Sequence, residues 1–203
     1  MFPIIPANSA TAASENDEGI FGYGSSYTAV TNLVSNAGVV SSDVAGVGTA
    51  RFNLAACEYG GDKGIFGFGY DHGGVSMTNL VSNAGVVASD QAATTGTARD
   101  ALAACSYGED KGIFGFGSDN GAGDFTNLVS NTGVVASDVT GVGTARNPMA
   151  CEYGGDKGIF GFGSTGSSYV SITNLVSNAG VVASDQAATT GTGRGYGAAC
   201  SFN

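Results

Sequence analysis

Four cysteines, Cys57, Cys105, Cys151 and Cys200, recur 48, 46 and 49 residues apart. Thiols at such even intervals either ring a metal on a symmetry axis or mark equivalent places in a repeat. The close Cys pairs that usually build zinc sites are missing, and equivalent positions of successive repeats lie too far apart to bridge. The expected state is reduced thiols packed as small hydrophobes, with no metal and no cofactor. Four arginines are as regular: Arg51, Arg99, Arg146 and Arg194 each close a Gly-Thr-[Ala/Gly]-Arg run, eight or nine residues after Asp43, Asp90, Asp138 and Asp185. Such a set either ties loop carbonyls and carboxylates together or forms a ring that binds a carboxylate or sulfated sugar. One acid per base leaves little net attraction for an anion, so the structural role is expected.

Other residues with the right chemistry lack the right company. His72, in YDHGG, is the only histidine, and no Cys or Ser recurs beside it as nucleophile to its base. Asp119, Asn120 and Asp124 in SDNGAGD lack the spacing and closing Glu of a calcium loop. GIFGFG carries glycines like a nucleotide loop, yet a loop and another strand follow it rather than the helix that would hold a pyrophosphate. GGDKG lacks the Gly-Lys-Ser/Thr ending of a phosphate loop. No catalytic residues are expected, and the protein reads as a non-enzyme.

Composition narrows the partners. The 203 residues include 35 glycines, with 42% hydrophobic and only 12% charged residues, too apolar for disorder and without the triplet period of collagen. Seventeen acids against seven bases give a net charge of −10. Nucleic acid and anionic membrane surfaces, both bound by neutralising negative charge, are disfavoured. No apolar run is long enough for membrane insertion, and the opening MFPIIPANSA has no basic segment ahead of an apolar one, so no signal peptide is expected.

The elements that must position these residues are repeated. DKGIFGFG begins at Asp62, Asp110 and Asp156, with DEGIFGYG at Asp17, and TNLVSN begins at Thr31, Thr78, Thr126 and Thr173. The units, about 17–61, 62–109, 110–155 and 156–203, each carry four short runs rich in Val, Ile, Phe, Tyr and Ala between Gly, Asn and Asp. That is a pattern of four strands joined by tight turns, and no segment has a helical period. Strand alternation in IFGFG places Phe66 and Phe68 on one face and Ile65, Gly67 and Gly69 on the other. Phenylalanines of one unit then lie against the glycine backbone of the next. Units one and three share GVGTAR, units two and four share SDQAATTGT, so the chain reads as a duplicated pair.

Four strands in a period of 40 to 50 residues describe a propeller blade, stable only when neighbours cover both faces. The layout TAR-x-x-LAAC-x-YGGDKGIFGFG…TNLVSNAGVVASD resembles the kelch repeat over nearly the whole chain after residue 17, although Val39, Val40, Val86 and Val87 stand where aromatics are usual and tryptophan is lacking. The wording TNLVSNTGVVASD…GVGTAR…DKGIFGFG is also similar to repeat tracts in structural proteins of aquatic bacteriophages and other viruses. These resemblances imply an all-β, four-bladed kelch-like β-propeller (17–203) with an N-terminal extension (1–16). In such propellers a C-terminal strand closes the ring, so residues 195 to 202 are expected beside residues 18 to 24. The freed extension, with Phe2, Ile4 and Ile5, becomes an assembly arm.

Between the identical segments the loops differ: SSYTAV, YDHGGVSM, SDNGAGDF and STGSSYVSI. Loops that vary on a repeated scaffold are where binding concentrates. They place Tyr27, Tyr70, Phe125 and Tyr169 on one rim, beside Asp71, His72, Asp119 and Asp124, a chemistry suited to sugars or a protein epitope. The expected function is a structural or binding propeller in a virion, assembled in host cytoplasm. Its partners would be other virion proteins, copies of itself, or a host surface glycan or protein. The alternative is a cellular lectin-like carbohydrate-binding propeller, cytoplasmic or extracellular.

Overall fold

The computed structural model describes residues 18–91, 96–186 and 191–202; the extension, with Phe2, Ile4 and Ile5, lies outside them. The described residues contain no helix, and therefore none long and apolar enough to cross a membrane. The chain is all-β, as its period-2 patterning requires. Eleven strands form four small antiparallel sheets. The first holds β1 (Gly19–Gly24) and β2 (Thr28–Val34). The second holds β3 (Ala55–Tyr59), β4 (Lys63–Gly67) and β5 (Thr78–Val81). The third holds β6 (Ala103–Tyr107), β7 (Lys111–Gly115) and β8 (Thr126–Val129). The fourth holds β9 (Asn147–Tyr153), β10 (Lys157–Ser164) and β11 (Thr173–Val176).

The KGIFG run is the middle strand of each three-stranded sheet, between an AAC strand and a TNLV strand. Each three-stranded sheet straddles the boundary of the sequence repeat, because the AAC strand pairs with the KGIFG strand that follows it: Cys57 lies opposite Ile65 and Cys105 opposite Ile113. The expected fourth strand is reduced to isolated bridges. In the second sheet they join Val81 to Val87 and Thr78 to Gln91, after a turn held by Gly85 N–H donating to the Ser82 carbonyl.

The alternation expected of IFGFG breaks at its last aromatic. Phe68, Phe116 and Phe162 have φ of 60°, 60° and 57°, and Tyr23 has 64°. This left-handed backbone, unusual for a bulky side chain, turns Phe68 away from the side that Phe66 faces. Phe66 packs edge-on against Tyr23 of the first sheet, and Phe68 packs edge-on against Phe114 of the third, each pair with centroids 5.2 Å apart. The middle-strand runs of the second and third sheets therefore each offer one ring to the sheet before and one to the sheet after, Phe114 and Phe116 repeating Phe66 and Phe68.

The expected fit of phenylalanine against glycine is present at all three junctions. A Cβ added to Gly67 would lie 2.5 Å from Phe114, one on Gly115 2.5 Å from Phe160, and one on Gly22 3.0 Å from Phe66. Phe114, Phe160, Ile65 and Ile113 are fully or almost fully buried there, each stabilising by roughly 1.5–3 kcal/mol. The turn glycines add a second close approach: Gly133, at φ 81°, sits on Leu80 and Tyr59 of the preceding sheet, and Gly180, at φ 78°, on Leu128 and Tyr107.

The expected closing strand is not formed. Residues 195–202 make no strand pairing, and Tyr196 and Phe202 are 84% and 94% exposed, while Phe21 of β1 is 64% exposed. Upstream, Gly163 N–H donates to the Arg194 carbonyl and the Arg194 guanidinium stacks 3.7 Å over Phe162. Gly24 and Tyr23 hold Arg51 in the same way, so the segment starts on the fourth sheet as its counterparts start on theirs, but it has no pairing with β1.

Candidate functional site

The repeated arginines fill the junctions. Arg51 is wholly buried; its Nε donates to the Phe68 carbonyl at 2.7 Å, Nη2 to Asn79 Oδ1 at 2.7 Å, and Nη1 to the Thr49 carbonyl at 3.1 Å. Its guanidinium lies 4.4 Å above the Tyr23 ring of the first sheet. Arg99 and Arg146 repeat this arrangement over Phe68 and Phe116. The acid that each arginine approaches is not the Asp before it but the next one: Asp90 for Arg51, Asp138 for Arg99 and Asp185 for Arg146, at 3.8–3.9 Å. Asp138 accepts from the backbone N–H and hydroxyl of Thr97 and from Asn127 Nδ2. Burial pushes this carboxyl up, but the Thr97 and Asn127 hydrogen bonds outweigh it and hold the carboxyl below its ordinary range. Burial draws Arg99 and Arg146 down to about 10, which leaves both charged at neutral pH. Fully buried, with Nε, Nη1 and Nη2 each donating inside the protein, these three arginines hold the sheets together and are out of a ligand's reach.

The cysteines belong to the same packing. Cys57 Sγ lies 2.5 Å from where a Cβ on Gly112 would stand, and Cys105 Sγ 2.6 Å from one on Gly158. Burial pushes the Cys105 thiol up to about 12 and Cys57 higher still, so neither is a ready nucleophile. All four are free thiols; Cys200, unlike the others, is exposed.

The variable loops assemble what the repeated residues do not. Tyr27, at the tip of the β1–β2 turn, stacks on the His72 imidazole with centroids 4.7 Å apart and planes 13° from parallel. Phe52 meets Tyr27 edge-on at 5.3 Å and Tyr70 at 5.2 Å. Phe52 and Tyr70 are fixed by a reciprocal backbone pair, Tyr70 N–H to the Phe52 carbonyl at 2.8 Å and the reverse at 3.2 Å. Tyr27 and His72 both have left-handed φ, 51° and 56°, so tight turns aim these rings outward. Asp71 brings a carboxylate oxygen 3.8 Å from His72 Nε2. The result is a row of four rings with an acceptor at one end, partly exposed and spanning two sheets. Among the described residues no hydroxyl or thiol hydrogen-bonds His72.

Of the rim residues expected from the sequence, Tyr27, Tyr70, Asp71 and His72 come together here. Tyr169 stands apart, 56% exposed, its ring edge-on to Tyr196 at 6.3 Å. Asp119 accepts from Asn120 Nδ2 on its own loop, and Phe125 is half-buried against Gly123 with Asp124 beside it. Phe52 was missed by sequence reasoning. Its signal was available: it directly follows Arg51, where the other copies have Asp100, Asn147 and Gly195, a variable position abutting an identical one.

No protein-family model matches this chain, and no curated protein matches it.

Proposed function

We propose that the protein is a non-enzymatic binding and assembly module of kelch-like propeller type. Its blades are the sheets, and its aromatic rim takes a glycan or a protein epitope. The row formed by Tyr27, Phe52, Tyr70 and His72 carries this reading: rings whose faces suit the apolar faces of sugars stand next to the Asp71 carboxylate, which accepts hydroxyl hydrogen bonds. Two observations support the propeller. The AAC strands β3, β6 and β9, with residues 199–201, line one open cavity of about 400 Å³, as inner strands line a channel. The sheets also pack on one another through the same residues at all three junctions. On this reading the chain supplies the strands of four blades, three of them whole and one divided between the β1–β2 sheet and residues 191–202. The resemblance of the repeats to tracts in viral structural proteins is what favours a virion as the setting of this module.

The test is a glycan and host-surface binding screen with the whole protein and with Tyr27→Ala and His72→Ala. Both residues are exposed and lie outside the buried phenylalanine–glycine and arginine contacts of the junctions, so the variants are expected to fold. Binding by the wild type that falls at least tenfold in both variants is the expected result. Binding unchanged by either substitution removes the rim from the function.

A further inference from the structure

Three junctions inside this chain define one interface, and the two ends of the array display its two halves unmated. On the incoming side, Phe66, Phe114 and Phe160 each enter the glycine hollow of the sheet before them. Phe21 is the equivalent ring of the first sheet, and it is 64% exposed. The turn glycines Gly85, Gly133 and Gly180 each press on a preceding leucine, whereas around a Cβ on Gly38 there is nothing within 4 Å. On the outgoing side, a Cβ on Gly161 would meet only Thr173 Cγ2, at 3.4 Å, where its counterparts Gly67 and Gly115 are filled by phenylalanine. Tyr153 is 38% exposed, but Tyr59 and Tyr107, covered by the next turn glycine, are 4% and 3% exposed.

The polar hub is divided in the same way. The first sheet has Asn32 donating to Asp43 at 2.9 Å, as Asn79 donates to Asp90, but Asp43 has neither the threonine nor the arginine that its counterparts hold. Residues 191–202 have the threonine and arginine, Thr192 and Arg194, without the asparagine and aspartate. The strands divide likewise: among the described residues the first sheet has β1 and β2 without an AAC strand, and residues 198–200 spell that strand unpaired.

We propose that a second copy of this chain completes the divided sheet, joining molecules head to tail. Residues 198–201 of one copy add to the free edge of β1 of the next in the register that β3 keeps with β4, where Ala55 opposes Gly67 and Cys57 opposes Ile65. Ala198 then opposes Gly22, Ala199 opposes Phe21, and Cys200 opposes Ile20. Arg194 donates to the Tyr23 carbonyl and to Asn32 beside Asp43, Thr192 bonds Asp43, and Phe21 enters the hollow at Gly161. A cleft of about 270 Å³ between Ile20, Leu33 and Phe66 lies beside this edge and is bounded by Glu58 and Gly64 of the second sheet, where the added strand would pack as β3 packs against the third. Because the two surfaces differ, the contact is heterologous and propagates until it closes a ring or extends as a fibre. This inference deepens the assembly part of the proposed function and is independent of the rim: its experiment reads association and not ligand binding.

The experiment is sedimentation velocity over a dilution series with the whole chain, with Phe21→Ser and with Gly161→Val. Phe21 is exposed and the Gly161 hollow is open, so neither substitution should disturb the single chain; the thermal transition checks this. The wild type is expected to form concentration-dependent assemblies and each variant to stay monomeric. An equal mixture of the two should yield dimers and nothing larger, because Phe21→Ser keeps the hollow and Gly161→Val keeps the ring. Should either variant unfold, Arg194→Ala tests the outgoing side alone with the same expectation. A wild type that is monomeric at every concentration overturns the proposal, whether its own C-terminal segment or residues before Gly19 fill the edge. Variants that assemble like the wild type overturn it as well.

Discussion

The junction between the second and third sheets and the outer face of the fourth are built from the same residues, yet only one is finished. At the junction, Gly67 receives Phe114, Tyr59 lies under Gly133, and the Arg99 guanidinium stacks on Phe68 while its donors reach Phe116 and Asn127. At the outer face, Gly161 receives nothing beyond its own Thr173, Tyr153 is exposed, and Arg194 stacks on Phe162 with its remaining donors free of such partners. The residue types are held constant and only the neighbour changes. The contrast shows that these glycines, tyrosines and arginines are interface residues before they are residues of any one sheet, and that sheet stability is largely borrowed from the adjacent unit.

The comparison can be broken most severely at the hollow. Gly115→Val should lower stability by several kcal/mol, since its Cβ would stand 2.5 Å from the buried Phe160 ring. Gly161→Val should leave the melting temperature of the isolated chain nearly unchanged. Equal losses at the two sites, read by thermal or urea unfolding, would mean that the glycines matter for strand conformation and not for the neighbour.

Next in size is the hub. Arg99→Ala strands Asn127 and Asp138 without their buried cation and should cost about 3 kcal/mol, against less than about 0.5 kcal/mol for Arg194→Ala, whose side chain is exposed. Urea midpoints of the two variants compare them directly. A smaller effect is expected with acid. The folded-state pKa values of Asp90, Asp138 and Asp185 are depressed, so their contribution is fully present above the unfolded value of about 4 and is lost as pH falls through the lower folded values. Asp138→Asn should therefore flatten the loss of stability below pH ~4, read as the thermal midpoint across an acid titration.

The smallest contrast is chemical. In native protein Cys200 should react with a thiol reagent at once, and Cys57 and Cys105 only after denaturation, because the latter two are packed on glycines with raised thiol pKa values. Equal rates for all four would show that the AAC strands are not the packed edges described here.

The sequence made the repeats, the all-β class and the phenylalanine–glycine fit readable, because these depend on period-2 alternation and on residue size. It concealed the reversal at Phe68: a φ of 60° on a phenylalanine has no compositional marker, and alternation rules assume an unbroken strand. It also misdirected the arginine–aspartate pairing. Asp43 is nearer to Arg51 along the chain, but Asp90 is the partner because Arg51 leads into the sheet whose last bridge Asp90 flanks. In the rim, Tyr27, Tyr70 and His72 were visible as variable aromatics. Phe52 was not, since it follows an arginine that looks structural.

The order in which the sheets pack has a consequence for how the chain is made. The packing between three-stranded sheets links neighbours in sequence, β3 to β6 and β7, and β6 to β9 and β10, so no sheet must wait for a distant segment before it can dock. A fold that needs its last strand to complete every sheet consolidates only when synthesis is finished; these three sheets can consolidate in turn as the chain leaves the ribosome. Nascent chains carried to residue 139 and then held by a flexible linker long enough to clear the ribosome should accordingly show the second and third sheets already resistant to protease, and uniform digestion of such chains would show that consolidation needs the whole array.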